Sequence, residues 1–212
     1  MSKKYFLAAG VGLLMSAAAA QATPILTPPS GLTAVGDVTA VYVFADAGDT
    51  SILNELTPVS INQIFCNHAN APCIAANNAG DQVDLGVQNG AMTFSLENIT
   101  TGSTFTSNTP ETPGGPYHVL VTTNYSDFNV GALLPGAQTA LDALTAAGKS
   151  ITFVGWEDLS AAQGSDFDYN DLIFAFANTR ITTNVPEPLT VSLFGAGLVG
   201  AAWLRRRKSK RA

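Results

Sequence analysis

The stretch Ser-Asp-Phe-Asp-Tyr-Asn-Asp-Leu-Ile-Phe, residues 165–174, sets Asp166, Asp168 and Asn170 on alternate positions, adds Asp171 and then turns apolar. In an extended or looped backbone alternate side chains share a direction, so the oxygens converge while Phe167 and Tyr169 pack the other way. Oxygen-bearing side chains at the first, third and fifth positions match the opening of a calcium loop, where a hard cation takes six to eight oxygens at about 2.3–2.6 Å. The likeness to an EF-hand ends there. Asp171 stands where that loop needs Gly, Ala177 stands where it needs Glu, and strand-forming residues flank it. A cation here must complete its shell from elsewhere, and Glu157 and Asp158 of Gly-Trp-Glu-Asp-Leu, just upstream, are the expected donors. The expected cofactor is calcium, with Asp166, Asp168, Asn170 and Asp171 as its central ligands. The competing reading is a solvated acidic turn.

Paired carboxylates also serve glycoside hydrolysis, which needs two groups about 5–9.5 Å apart with one kept protonated by an apolar pocket. Carboxylates crowded into one turn suit a cation better than a single retained proton. His68 and His118 are the only histidines, and neither lies in a nucleophile motif. No catalytic residue is expected, and the chain reads as non-enzymatic.

The elements that must carry this turn are β. Candidate strands rich in β-branched and aromatic residues cover 38–45, 61–66, 92–99, 117–123, 151–158 and 172–179, separated by Gly, Pro, Asn and Thr clusters. One segment has helical spacing, with Leu134, Gln138, Leu141 and Leu144 followed by Gly148 as a C-terminal stop, and it feeds the strand at Ile151. The expected fold is all-β, a single β-sandwich or jelly-roll-like domain over residues 23–184 with one short helix.

Residues 23–184 hold 15 carboxylates against two cations, Lys149 and Arg180, a net charge of −13. Such a body repels nucleic acid and attracts cations where its carboxylates meet. Residues 1–22 read as a signal peptide: a Lys-Lys start, an apolar run and Ala-Gln-Ala before Thr23. Export puts Cys66 and Cys73, which enclose a short polar turn with a proline, in an oxidising compartment, where a disulfide between them is expected.

Residues 185–212 have three parts: a turn at Pro186-Glu187-Pro188, an apolar stretch over 189–204 read as a transmembrane helix, and a basic cluster. This tail resembles the PEP-CTERM sorting signal of Gram-negative bacteria. The resemblance implies an exosortase-type partner that removes the tail, a precursor anchored transiently in the inner membrane, and a mature protein at the cell surface or in the extracellular matrix.

Residues 151–179, with Gly155, Trp156, Glu157, Asp158 and Leu159 followed by Asp166, Asp168, Tyr169, Asn170 and Asp171, resemble domain of unknown function 4114, a family of exported bacterial β domains. Residues 92–107 look like its upstream hairpin, so the resemblance spans about 90–180. It implies a secreted domain with a cation site and supplies no activity. The expected function is a calcium-stabilised structural or adhesive surface protein. The alternative is a calcium-dependent carbohydrate-binding module reaching an extracellular polysaccharide through Trp156, Tyr117 and Tyr125.

Overall fold

The computed structural model describes residues 22–182. It contains strands β1 (Gly31–Ala45), β2 (Ser51–Thr57), β3 (Ile61–Cys66), β4 (Gln82–Asn98), β5 (Ser103–Thr106), β6 (Val119–Thr122), β7 (Ile151–Trp156) and β8 (Leu172–Thr182). One helix, α1 (Pro135–Ala146), and two 3-10 turns complete it. The hydrogen-bonded order is β3-β2-β4-β1-β8-β7-β6, with β5 added alongside β4.

This order corrects the expected sandwich or jelly roll. The strands form one eight-stranded sheet that is neither split into two sheets nor closed into a barrel. The reason is the length of β4: Gln82–Met92 pairs with β1, and Thr93–Asn98 continues onto β2 while Ser95–Asn98 also takes β5. Hydrogen bonding thus stays continuous where a sandwich would break it. The sheet curls, because rings on strands distant in the order touch: Phe94 of β4 lies 4.6 Å from Phe176 of β8, and Phe65 of β3 stacks on Phe174 at 5.7 Å.

β8 is central and buried on both faces, which is why its sequence is an uninterrupted apolar run instead of an alternation. Leu172, Phe174 and Phe176 enter the cluster between the curled parts of the sheet. Ile173, Ala175 and Ala177 enter a second cluster beneath α1. In β1, Ala40 and Tyr42 face the first cluster and Val41 and Val43 the second.

Helix α1 lays Ala137, Ala140, Leu141 and Leu144 on that second face. It ends as its sequence indicates. Gly148 takes φ +78°, its N–H donates to Thr145 O, and the Lys149 N–H donates to Leu144 O, which satisfies carbonyls the last turn leaves open.

Among the described residues no helix is long and apolar enough to cross a membrane. The expected transmembrane helix and membrane-anchored precursor find no support there and are withdrawn. The apolar stretch 189–204, the Pro186-Glu187-Pro188 turn and residues 1–21 of the signal peptide lie outside the described residues. The disulfide between Cys66 and Cys73 is present, at the end of β3.

Candidate metal centre

β7 and β8 are antiparallel neighbours with Trp156 opposite Leu172, so the connection 157–171 closes over the ends of two core strands. Its organiser is Glu157, which is fully buried. The Glu157 Oε2 atom accepts the Phe167 N–H at 3.1 Å and the Ser165 hydroxyl, and Oε1 accepts the Tyr169 N–H. One carboxylate therefore gathers three donors from the acidic turn.

Those bonds fix an uncommon backbone. Phe167 and Tyr169 both lie in the left-handed region, at φ 56° and 61°, which costs on the order of 1 kcal/mol or more for each bulky residue. The cost is offset by charge-assisted hydrogen bonds worth roughly 1.5–3 kcal/mol each and by burial of both rings in the cluster beneath α1. Tyr169 adds reach. Its hydroxyl donates to Tyr117 O at 3.3 Å and accepts the Ile25 N–H at 2.7 Å, tying the turn to the start of the domain. Gly155 of β7 lies directly below: a Cβ there would sit 2.2 Å from Tyr169 O and 2.3 Å from the Phe128 ring.

With the aromatics turned inward, the acids face outward. Carboxylate oxygens of Glu157, Asp166 and Asp168 lie within 4.8 Å of one another, a grouping that could hold a metal ion. Its members span the full range of burial, with Glu157 buried, Asp168 half-buried and Asp166 exposed. Burial pushes the Glu157 carboxyl above the usual range, and the Asp166 and Asp168 charges push it further against the pull of Ser165 and Tyr169. Asp168 is raised in the same way, by burial first and then by Asp166 and Asp46. Carboxylates crowded like this are an arrangement that a divalent charge relieves.

The structure brings together three of the six residues named from sequence and places the others beside them. Asn170 donates its side-chain amide to Asp168 Oδ2 at 2.5 Å, and its backbone N–H donates to Oδ1 at 3.2 Å. Asp171 and Asp158 form a separate pair in which the Asp158 N–H donates to Asp171 Oδ2 at 2.9 Å. Asp171 is pushed up to about 8, chiefly by burial and then by Glu157, Asp158 and Asp168. Asp158 is also raised, by burial and then Asp49, against a hydrogen bond from Ser51.

Two acids of this end were not named from sequence, Asp46 and Asp49 in the β1–β2 loop. The Asp46 N–H donates to Asp171 O at 2.9 Å, and Asp49 Oδ2 accepts the Asn98 amide at 2.9 Å. The signal available was the run Asp-Ala-Gly-Asp after a strand. Of the aromatic residues expected to carry a glycan, Trp156 is fully buried, Tyr117 is 7 % exposed and Tyr125 is half-buried. His118 stacks on Phe105 at 3.9 Å and meets Glu111 at 3.1 Å, and its imidazole is held below its usual pKa by burial.

No curated protein and no solved structure matches the chain. Residues 184–208 match the PEP-CTERM protein-sorting motif, which takes in the Pro186-Glu187-Pro188 turn. The chain thus carries the sorting signal of exported, processed surface proteins, and that signal is not a catalytic domain.

Proposed function

We propose that this protein is a structural or adhesive component of the cell surface or extracellular matrix, stabilised by calcium at the acidic turn and released from its tail by an exosortase-type enzyme. The observation that carries the reading is the cluster of Glu157, Asp166 and Asp168, in which a fully buried carboxylate is already fixed by the backbone of the loop it organises. Calcium fits the donor chemistry: hard oxygens, irregular geometry and room for water to complete a six- to eight-fold shell. Asn170, Asp171 and Asp158 supply further oxygens around that trio. The resemblance of residues 90–180 to domain of unknown function 4114 belongs to this reading. A polysaccharide partner has less support, since Trp156 and Tyr117 are buried.

The test is a melting curve of the exported protein in chelator, in calcium and in magnesium, repeated for Asp168→Ala. Linkage gives about 2.7 kcal/mol of added stability at a calcium concentration one hundred times Kd, enough to raise Tm by several degrees. Magnesium raises it less, because it keeps its waters and demands a tighter octahedral shell. Identical melting temperatures in chelator and millimolar calcium would return the turn to an acidic surface loop.

A further inference from the structure

We propose that the Cys66–Cys73 disulfide is a redox gate on the acidic end of the domain. Oxidised, it fixes the segment 67–72 as a clamp on the β1–β2 loop; reduced, it frees that loop and the carboxylates that depend on it.

The clamp is a run of side chains that immediately follows Cys66. Asn67 is buried; its Oδ1 accepts the Ser51 N–H at 2.7 Å and its amide donates to Asp49 O at 2.7 Å. His68 Nε2 lies 3.0 Å from Ala47 O, and the Asn70 amide donates to Thr50 Oγ1 at 2.7 Å. Four hydrogen bonds from Asn67, His68 and Asn70 therefore hold residues 47–51, and that loop in turn holds the acidic end. The Ser51 hydroxyl donates to Asp158 Oδ2 at 3.1 Å, the Asp46 N–H donates to Asp171 O, and Asn98 joins Asp49 Oδ2 to Asp158 O.

Inside the loop a backbone bond from the Cys73 N–H to Asn70 O at 2.7 Å also shapes the chain. Beyond Cys73 the irregular chain returns to Cys66 at Asn77, whose N–H donates to Cys66 O and whose Oδ1 accepts the Cys66 N–H, both at 2.8 Å. Without the covalent closure, residues 67–72 gain the freedom of an open loop and the clamped arrangement becomes one state among many. Both cysteines are buried, at 2 % and 4 % exposed, so the bond that forms in an oxidising compartment opens slowly and needs a strong reductant.

A dithiol reverses it by two exchange steps. Its thiolate attacks one sulfur to give a mixed disulfide, its second thiol displaces the protein sulfur, two electrons and two protons pass to Cys66 and Cys73, and the reagent leaves as a cyclic disulfide.

The proposal takes its ligand, calcium, from the reading above, but the clamp is measured without it. Amide exchange in chelator is compared for the exported protein before and after prolonged dithiol treatment. The Ser51 amide is expected to exchange at least about tenfold faster after reduction, while the Phe174 and Phe176 amides keep their protection. Asn67→Ala, with the disulfide intact, is expected to reproduce the change at Ser51. Calcium affinity is then expected to fall about tenfold on reduction, as it does when the competent arrangement is populated a tenth of the time. Unchanged Ser51 protection in the reduced protein or in Asn67→Ala overturns the gate, as does loss of protection throughout β7 and β8, which would make the disulfide a determinant of the whole fold. Absence of calcium binding in the oxidised protein overturns the cation reading alone, and the exchange data still decide the gate.

Discussion

Glu157 is first a hydrogen-bond acceptor for its own loop and only second a charge offered to a cation. Replacing it by Gln removes the charge and also turns one acceptor position into an amide that faces the donors Ser165, Phe167 and Tyr169. We expect Glu157→Gln to destabilise the protein by about 1–3 kcal/mol even in chelator, read as a lower Tm. Asp166→Asn, at an exposed position, should leave Tm in chelator nearly unchanged and remove the calcium-dependent rise. A second buried acid behaves differently. Glu55 of β2 is fully buried and accepts the Gln88 amide at 3.0 Å with Oε2. Burial raises its pKa above the ordinary 4.5, against the pull of Gln88 and the Val59 backbone. A carboxyl whose folded pKa is raised contributes stability that is fully present below about 4.5 and is lost as pH rises through the folded value. Glu55→Gln should therefore raise Tm at neutral pH and flatten its decline above the ordinary carboxylate range, which melting curves at a series of pH values will show.

At the level of elements, the acidic turn depends on β7 passing close beneath it. Gly155 leaves space for Tyr169 O and the Phe128 ring, and the nearest of these contacts are backbone and core ring atoms that have no free direction to yield. Gly155→Ala should cost about 1–3 kcal/mol or more through overpacking. Because the displaced atoms include the carbonyl of Tyr169, calcium affinity should fall with stability, and calorimetric titration of the variant checks this. The length of β4 is the other element-scale determinant, since it lets one strand serve two sets of neighbours and keeps the sheet continuous.

For the whole molecule, the distribution of charge and the sorting motif describe one route. The acidic body carries a net −13 over residues 23–184, and the basic cluster lies in the tail. A cut at the matched motif would separate the two. The extracellular protein should lack the tail after a cut near Val185–Pro188, and intact-mass measurement of secreted material checks it. A chain still ending at Ala212 would show that no processing occurs.

Features whose causes are local can be read along the chain. β8 is legible as a continuous apolar run, α1 as a helical spacing stopped by Gly148, and the disulfide as two near cysteines in an exported chain. The acidic turn was visible as alternation of acids with rings, and the tail as three parts in order. Tertiary structure decided what depends on partners distant in the chain. β2 and the first part of β4 escaped notice because burial there is shared with polar groups, Glu55 and Gln88, that satisfy each other only across strands. Asp46 and Asp49 reach the acidic end because the curled sheet brings the β1–β2 loop beside residues more than a hundred positions later, as with Ser51 and Asp158. Trp156 and Tyr117, which read as surface aromatics, are buried for the same reason. Periodicity reports which face of a strand is apolar, but what covers that face is set by long-range contacts that no local pattern encodes.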